Sequence, residues 1–122
     1  MANVVNWFEI PVRDFPRATR FYEAILGAPL HQQQMGSHLM GFFPMEGEGV
    51  GGAIVSGEGY TPSAHGTVAY LNGGADLSPI LARIEPAGGM IQVPKTLITP
   101  DIGHFAMFLD TEGNRVALHS RG

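Results

Sequence analysis

The sequence predicts an α+β fold made of two tandem βαβββ modules, and three observations support this prediction. Short apolar segments alternate with turn residues, since 17 Gly and 9 Pro punctuate a chain of 122 residues. Two other segments have the apolar spacing of amphipathic helices. The second half of the chain also repeats the pattern of the first. One domain is expected at this length, with module one at about residues 1–57 and module two at about residues 65–122.

The first module is predicted to begin with a strand at residues 4–12, where apolar and β-branched residues alternate with others. Successive side chains of a strand point to opposite faces of the sheet. Phe8 and Ile10 therefore share one face with the apolar residue that ends the strand. Trp7 and Glu9 share the other face, which makes them the first candidates for the lining of a cleft.

A helix of about three turns is predicted next. Asp14 occupies the N-cap position, Pro16 follows in the first turn, and Gly27 stands where a C-cap belongs. The residues between the caps form one apolar face at helical spacing. That face comprises Phe15, Ala18, Phe21, Tyr22, Ile25 and Leu26.

The remaining elements follow from the same patterns of alternation, spacing and turn residues. Three more strands complete module one, and module two repeats the order strand, helix and three strands. Asp76 is predicted to cap the second helix, Pro79 lies in its first turn, and Gly88 and Gly89 end it. The predicted strands are residues 30–34, 38–44, 50–56, 67–72, 90–93, 104–109 and 115–119.

The internal repeat supports this organisation. Asp14 and Gly27 are 13 residues apart, Asp76 and Gly89 are also 13 apart, and the two pairs are shifted by 62 residues. A strand–turn–strand pattern recurs at residues 108–113, offset by 66 residues from its first occurrence. A half of this size with one helix is too small to cover its own sheet, so the two modules are expected to pack together.

Composition excludes several classes of function. The net charge is −4 and the Lys and Arg residues form no cluster, so nucleic-acid binding is not expected. The chain contains no cysteine, no apolar run of about 18 residues and no N-terminal pattern of a signal peptide, which predicts a cytoplasmic protein that spans no membrane. Charged residues make up only 15% of the chain, which favours a surface partly hidden in an oligomer or around a large pocket.

The segment Gly47–Gly52 matches the spacing G-x-G-x-x-G of dinucleotide-binding loops. That motif requires a helix directly after the glycines, because the helix N-terminus binds the pyrophosphate. Ala53, Ile54 and Val55 follow instead, and they form a strand pattern. No cofactor-binding residue is therefore predicted, and the glycines are assigned to a hairpin.

Two segments of the repeat resemble the vicinal oxygen chelate superfamily, which includes glyoxalase I, bleomycin-resistance proteins and extradiol dioxygenases. They are Asp14-x6-Phe21-Tyr22-x3-Leu26-Gly27 and the closing segment 108–118, FLDTEGNRVAL. The resemblance covers the whole chain and is nearest to glyoxalase-like members. It implies a curved mixed sheet around a central cleft, a small organic ligand in that cleft, and a homodimer.

The resemblance also implies where a divalent metal would bind. The family takes one ligand from the first strand and one from the last strand of each module. In this chain those positions fall on Trp7, Ala53, Thr67 and Ala117. Indole and methyl groups do not ligate divalent metals, and a single Thr hydroxyl is a poor ligand. The usual metal site is therefore predicted to be missing.

Glu9 and His119 each lie two residues from one of these ligand positions. They are the candidates for a general acid/base pair or for a relocated metal site; a polar lining of the cleft is the alternative. Alternation assigns Tyr70 to the other face of its strand, beside Val68. The predicted cleft lining is Trp7, Glu9, Thr67, Ala69, Ala117 and His119.

Three functions stay open from the residues alone. The favoured one is binding of a small organic molecule without a metal, by sequestration or by modest acid/base chemistry. The second is a metal-dependent lyase, isomerase or dioxygenase with displaced ligands. The third is a non-enzymatic partner module that keeps only the fold.

Overall fold

The structure is a computed structural model, and it describes residues 3–122. It contains eight strands and two helices in the order expected for two βαβββ modules. Module one consists of β1 (Trp7–Pro11), α1 (Phe15–Leu26), β2 (His31–Met35), β3 (His38–Phe42) and β4 (Gly51–Ser56). Module two consists of β5 (Tyr70–Asn72), α2 (Ser78–Ile84), β6 (Met90–Thr99), β7 (Gly103–Leu109) and β8 (Arg115–Ser120).

Each module forms its own four-stranded mixed sheet. The strand orders are β1-β4-β3-β2 and β5-β8-β7-β6, so the two sheets have the same topology. In both, the first and last strands of the module pair in parallel and the other neighbours pair in antiparallel. The predicted α+β fold of two tandem βαβββ modules is confirmed.

The local signals of α1 act as the sequence predicts. Asp14 is the N-cap, and its Oδ1 accepts a hydrogen bond of 3.0 Å from the backbone N–H of Arg17. Gly27 ends the helix in the left-handed region with φ 69°, where its N–H reaches the carbonyl oxygen of Glu23. Glycine adopts this conformation without steric cost, which is why it suits a C-cap.

The apolar face of α1 enters one core that both modules share. The ring of Phe21 on α1 lies 6.0 Å from the ring of Phe108 on β7, and both side chains are fully buried. Tyr22 is fully buried as well, with its ring 5.3 Å from that of Phe43. The core cluster runs from Ile10 to Leu118 without a break between the modules. Helix α1 therefore joins the two sheets into one unit.

The turn between β7 and β8, which closes module two, is hydrogen-bonded to the start of α1. The Glu112 carboxylate accepts hydrogen bonds from the backbone N–H groups of Arg13 and Asp14 and from Arg17 Nε, at 3.0, 2.7 and 2.8 Å. Tyr22 donates its hydroxyl to Asp110 at 2.7 Å. A turn between β7 and β8 thus holds the start of α1 in place.

Module two departs from the predicted boundaries in three elements, and in one of them, β5, the strand begins at Tyr70 instead of residue 67. Helix α2 starts at Ser78 with Leu77 at the N-cap, so it has no side-chain cap. Asp76, two residues before the helix, accepts hydrogen bonds from the Ser78 N–H and from Lys95 Nζ. Strand β6 is ten residues long, since it continues past Pro94 as an edge strand with irregular register. Neither helix of the described chain is long enough to cross a membrane.

Candidate ligand-binding site

The main cavity lies where the two modules meet. Strands β1 and β5 are each at the edge of their sheet, and no backbone ladder joins them within residues 3–122. A cavity of about 1070 Å³ opens between them. Its volume is just above the upper end of the range of pockets for drug-sized molecules, which is on the order of 300–1,000 Å³. Its walls carry side chains from β1, β5 and β8, from the loop 43–50 and from the connector 61–69.

Trp7 and Glu9 line the cavity from β1, together with Phe8, Ile10 and Pro11 of the same edge strand. Trp7 is 42% exposed, and its ring lies 5.8 Å from that of Phe42. Gly51, its partner on β4, leaves room for the indole, since a Cβ there would lie 3.1 Å from the ring. The Trp7 Nε1–H group donates to Glu9 Oε2 at 3.3 Å. The indole is therefore oriented by the carboxylate beside it.

Tyr60 completes this group, although the sequence analysis did not select it. Its hydroxyl donates to Glu9 Oε1 at 2.6 Å, and its ring contacts that of His38 edge-on at 5.3 Å. The hydrogen bond to Glu9 raises the pKa of Tyr60 above its usual value, which keeps the hydroxyl protonated as a donor. An isolated aromatic residue in a connector rich in Gly, Ser and Pro was the available signal.

The structure places β5 in a different register from the sequence analysis. The strand begins at Tyr70, and Leu71 points into the shared core. Tyr70 therefore lies on the face of its partner Ala117, where it is 53% exposed and lines the cavity. The assignment of Tyr70 to the opposite face was wrong. Thr67 and Ala69 line the cavity too, but from the connector before the strand.

Ala53 and Ala117 occupy matching places in the two sheets. Ala53 pairs with Glu9 in module one, and Ala117 pairs with Tyr70 in module two. Both alanines are completely buried and neither lines the cavity. Neighbouring side chains therefore cover the two positions that the resemblance assigns to metal ligands on the last strands.

His119 is separated from Glu9 in the structure. Its Nε2 lies 2.7 Å from the carbonyl oxygen of Ile102, in the turn between β6 and β7. It does not line the cavity, whereas Glu9 does. The two candidate acid/base groups belong to different sheets. Glu9 is hydrogen-bonded to Trp7 and to Tyr60 of the connector, and His119 to the turn before β7.

The residues at the implied metal positions do not fit a divalent ion. Trp7, Ala53 and Ala117 offer no oxygen, sulfur or imidazole donor, and Thr67 offers one hydroxyl. Within residues 3–122, no three His, Cys, Asp or Glu side chains are grouped so that they could hold a metal ion. A metal centre with three or four protein ligands requires such a group.

The comparisons with known proteins agree with the architecture. A family model described as the Glyoxalase/Bleomycin resistance protein/Dioxygenase superfamily matches residues 4–118. A comparison with curated protein sequences found no match. Among solved structures, TnmS3, an antibiotic binding protein from Streptomyces sp. CB03234, is 25% identical with a TM-score of 0.69, covering 100% of this chain and 99% of that one.

Two further structures share the fold at lower sequence identity. A glyoxalase/bleomycin resistance protein from Albidiferax ferrireducens T118 has a TM-score of 0.77 at 16% identity, with 98% and 100% of the two chains covered. Glyoxalase I from Zea mays has a TM-score of 0.73 at 16% identity, covering 96% of this chain and 44% of that one. The family match extends over nearly the whole chain, and the paired βαβββ modules agree with it. The chain belongs to the glyoxalase/bleomycin resistance protein/dioxygenase superfamily.

Proposed function

We propose that the protein binds a small organic molecule in the cavity between β1 and β5 and acts without the divalent metal of its family. The observation that carries this proposal is the cavity itself, with its volume of about 1070 Å³ and its largely apolar walls. Trp7 and Tyr70 expose aromatic rings there, one from each module. Sites of this composition suit ligands with apolar rings and a few polar groups.

Two further points support binding rather than metal chemistry. TnmS3, which shares the fold at 25% identity, is described as an antibiotic binding protein. The implied ligand positions carry indole, methyl and hydroxyl groups, which do not form a metal centre. Glu9 and His119 do not act as a pair in this proposal, because they lie in different sheets and each is hydrogen-bonded to other groups. Glu9 contributes a polar anchor for the ligand.

We also infer that the protein works as a homodimer in the cytoplasm. The chain has few charged residues, and the hairpin of β6 and β7 exposes Leu97, Ile98 and Ile102. Exposed apolar groups gathered at one place are typical of a surface that a partner covers. Without cysteine, folding requires no oxidising compartment.

Elemental analysis and a ligand screen test the proposed function together. The purified protein is dialysed against nickel, zinc, manganese and iron(II), and its metal content is then measured. We expect no stoichiometric metal. A panel of antibiotics that includes cationic, neutral and anionic molecules is then screened by fluorescence, since Trp7 is the chain's one tryptophan and lines the cavity. We expect saturable quenching by at least one compound.

Matched variants locate the binding. Trp7→Ala is expected to weaken a hit by about tenfold in calorimetry, because it removes an aromatic contact. Met35→Ala, which truncates an exposed apolar residue outside the cavity, is expected to leave the affinity unchanged. If the wild-type protein binds stoichiometric metal and the Glu9→Ala and His119→Ala variants do not, the metal-dependent alternative would be supported instead. If no compound binds, the third alternative is favoured, a non-enzymatic partner module that keeps only the fold.

A further inference from the structure

Glu9 presents a carboxylate of fixed orientation to the cavity. One oxygen accepts from Trp7 Nε1 at 3.3 Å, and the other accepts from the Tyr60 hydroxyl at 2.6 Å. Each carboxylate oxygen has two lone pairs, so both oxygens keep capacity for a further donor. The negative charge itself has no cationic partner, since the ion pairs found among residues 3–122 are Arg17–Glu112 and Lys95–Asp76. A ligand with a positive group would provide that partner.

Aromatic rings surround the same carboxylate. The Trp7 indole lies directly beside it and is 42% exposed, and Tyr70 projects from the opposite edge strand with 53% of its surface exposed. The Tyr60 ring is held next to Glu9 by its hydroxyl. The faces of such rings attract organic cations through their quadrupoles, with tryptophan the strongest. Carboxylate and rings therefore favour the same type of ligand group.

The distribution of charged residues along the chain also favours a cationic ligand. No Lys or Arg occurs between Phe21 and Ala82, a stretch that includes β2, β3, β4 and β5. The loop before β4 and the connector after it both contribute residues to the cavity wall. They carry Glu46, Glu48 and Glu58. These three carboxylates do not line the cavity, but they add negative charge to the two segments that contribute to its wall, and negative charge near a cleft raises the local concentration of cations.

Arg115 is the single Lys or Arg side chain that lines the cavity. Its Nε donates to Gln92 Oε1 on β6 at 3.1 Å. Strand β6 lies at the far edge of its sheet, beyond β7 as seen from β8, and β5 lies on the other side of β8. The hydrogen bond therefore draws the guanidinium away from β5 and from the Glu9 side of the cavity.

We propose that the cavity selects organic cations, with a protonated amine bound at Glu9 and an aromatic or apolar body between the edge strands. This proposal rests on the proposed function, because it names the chemical class of the molecule bound in the same cavity. The rings of Trp7 and Tyr70 contact the body of the ligand. The carboxylate and the face of the indole hold its charged group.

The test uses three ligands that share one ring system and differ in charge. 1-Naphthylmethylamine is cationic at pH 7, 1-naphthalenemethanol is neutral, and 1-naphthoate is anionic. Calorimetric titration of the wild-type protein is expected to give an affinity for the amine at least about tenfold higher than for the alcohol, since a charge-assisted hydrogen bond replaces a neutral one. The naphthoate is expected to bind most weakly.

A pair of charge-removing variants assigns the preference to Glu9. Glu9→Gln keeps the size of the side chain and is expected to lower the affinity for the amine by about tenfold while leaving the alcohol unchanged. Glu85→Gln removes the same charge at the end of α2, outside the cavity, and is expected to change neither affinity. Circular dichroism melting curves establish that both variants are folded.

The outcomes separate this inference from the proposed function. Equal affinity for all three ligands, tightest binding of the naphthoate, or an unchanged preference in Glu9→Gln would overturn the selection of cations and leave small-molecule binding intact. If none of the three naphthalene ligands binds, the antibiotic panel decides. Hits that are all neutral or anionic would also overturn the selection of cations. Failure of the panel as well would overturn the proposed function itself.

Discussion

The ionised carboxylate of Glu112 contributes to the stability of the fold, because it accepts hydrogen bonds that join the closing turn to the start of α1. Burial alone would raise its pKa, but the hydrogen bonds from Arg17, from the Asp14 amide, from Thr111 and from the Arg13 amide outweigh it, and the pKa falls from 4.5 to about 2. A carboxyl group with a lowered pKa stabilises the fold at pH values above its unfolded pKa. That contribution is lost as the pH falls from about 4.5 towards 2.

The substitution Glu112→Gln tests this account. At pH 7 we expect the free energy of unfolding to fall by about 1–3 kcal/mol, because the amide replaces charge-assisted hydrogen bonds to two backbone amides and to Arg17. The difference between variant and wild type should shrink as the pH is lowered from about 4.5 towards 2, since the wild-type carboxyl group is then protonated. Urea denaturation at several pH values measures both effects.

Glu46→Gln is the matched control, because Glu46 is exposed in a loop. We expect it to change the free energy of unfolding by less than about 0.5 kcal/mol at every pH. A Glu112→Gln variant as stable as the wild type at pH 7 would show that the closing turn is held by its other contacts.

The residues of the candidate site were only partly predictable from the sequence. Trp7 and Glu9 follow from alternation, because Phe8 and Ile10 mark the core face of β1 without ambiguity. Tyr60 could not be found in this way. Its contact with Glu9 spans 51 positions of the chain and depends on the path of a connector that has no periodicity.

At the scale of elements, the two helices differ in length and in how their ends are capped. Helix α1 has an N-cap carboxylate, a proline in its first turn and a left-handed glycine at its end. Helix α2 has seven residues and no side-chain cap. Because short helices gain little from their own hydrogen bonds, α2 depends on packing, with Ile84 buried in the shared core.

Asp14→Ala should destabilise the protein by about 1 kcal/mol, since the Arg17 N–H loses its partner at the N-cap. Asp14→Asn is the control, because asparagine caps helices about as well as aspartate. Thermal melting followed by circular dichroism compares the two variants. Equal losses in both would indicate that the charge near the Arg17 guanidinium matters more than the cap.

The predictability of each element follows from its length and its signals. The sequence places α1 to within a residue at either end, because caps and apolar periodicity agree. Strand β5 has three residues and precedes a pair of glycines, so its register is weakly specified by local pattern. Its pairing with β8 decides the register, and that pairing is what turns Tyr70 towards the cavity.

At the scale of the whole molecule, the internal repeat predicted the architecture because both halves of the sequence repeat the same apolar spacing and the same order of turn residues. One core spans them, with Phe21 of module one against Phe108 of module two. The fold therefore depends on contacts between the modules. The apolar side chains at the end of the β6–β7 hairpin lie outside this core and remain exposed in a single chain.

The proposed homodimer is tested by sedimentation at micromolar concentration. We expect a species of twice 13.1 kDa for the wild-type chain. The double variant Leu97→Lys/Ile102→Lys, which places charges on the exposed end of the hairpin, should sediment as a monomer with an unchanged circular dichroism spectrum. Detection of only the 13.1 kDa chain for the wild type would contradict the homodimer.

The boundary between β1 and β5 has a consequence for the evolution of the family fold in this chain. Within residues 3–122 no backbone ladder crosses it, so the distance between the two sheets depends on side-chain contacts and on the connector between the modules. Substitutions of exposed wall residues such as Trp7 and Tyr70, whose side chains bond no main-chain group, can widen or narrow the space without breaking a main-chain hydrogen bond. Selection for a new ligand can therefore proceed there by single mutations, while the caps, turns and core that determine folding stay as they are.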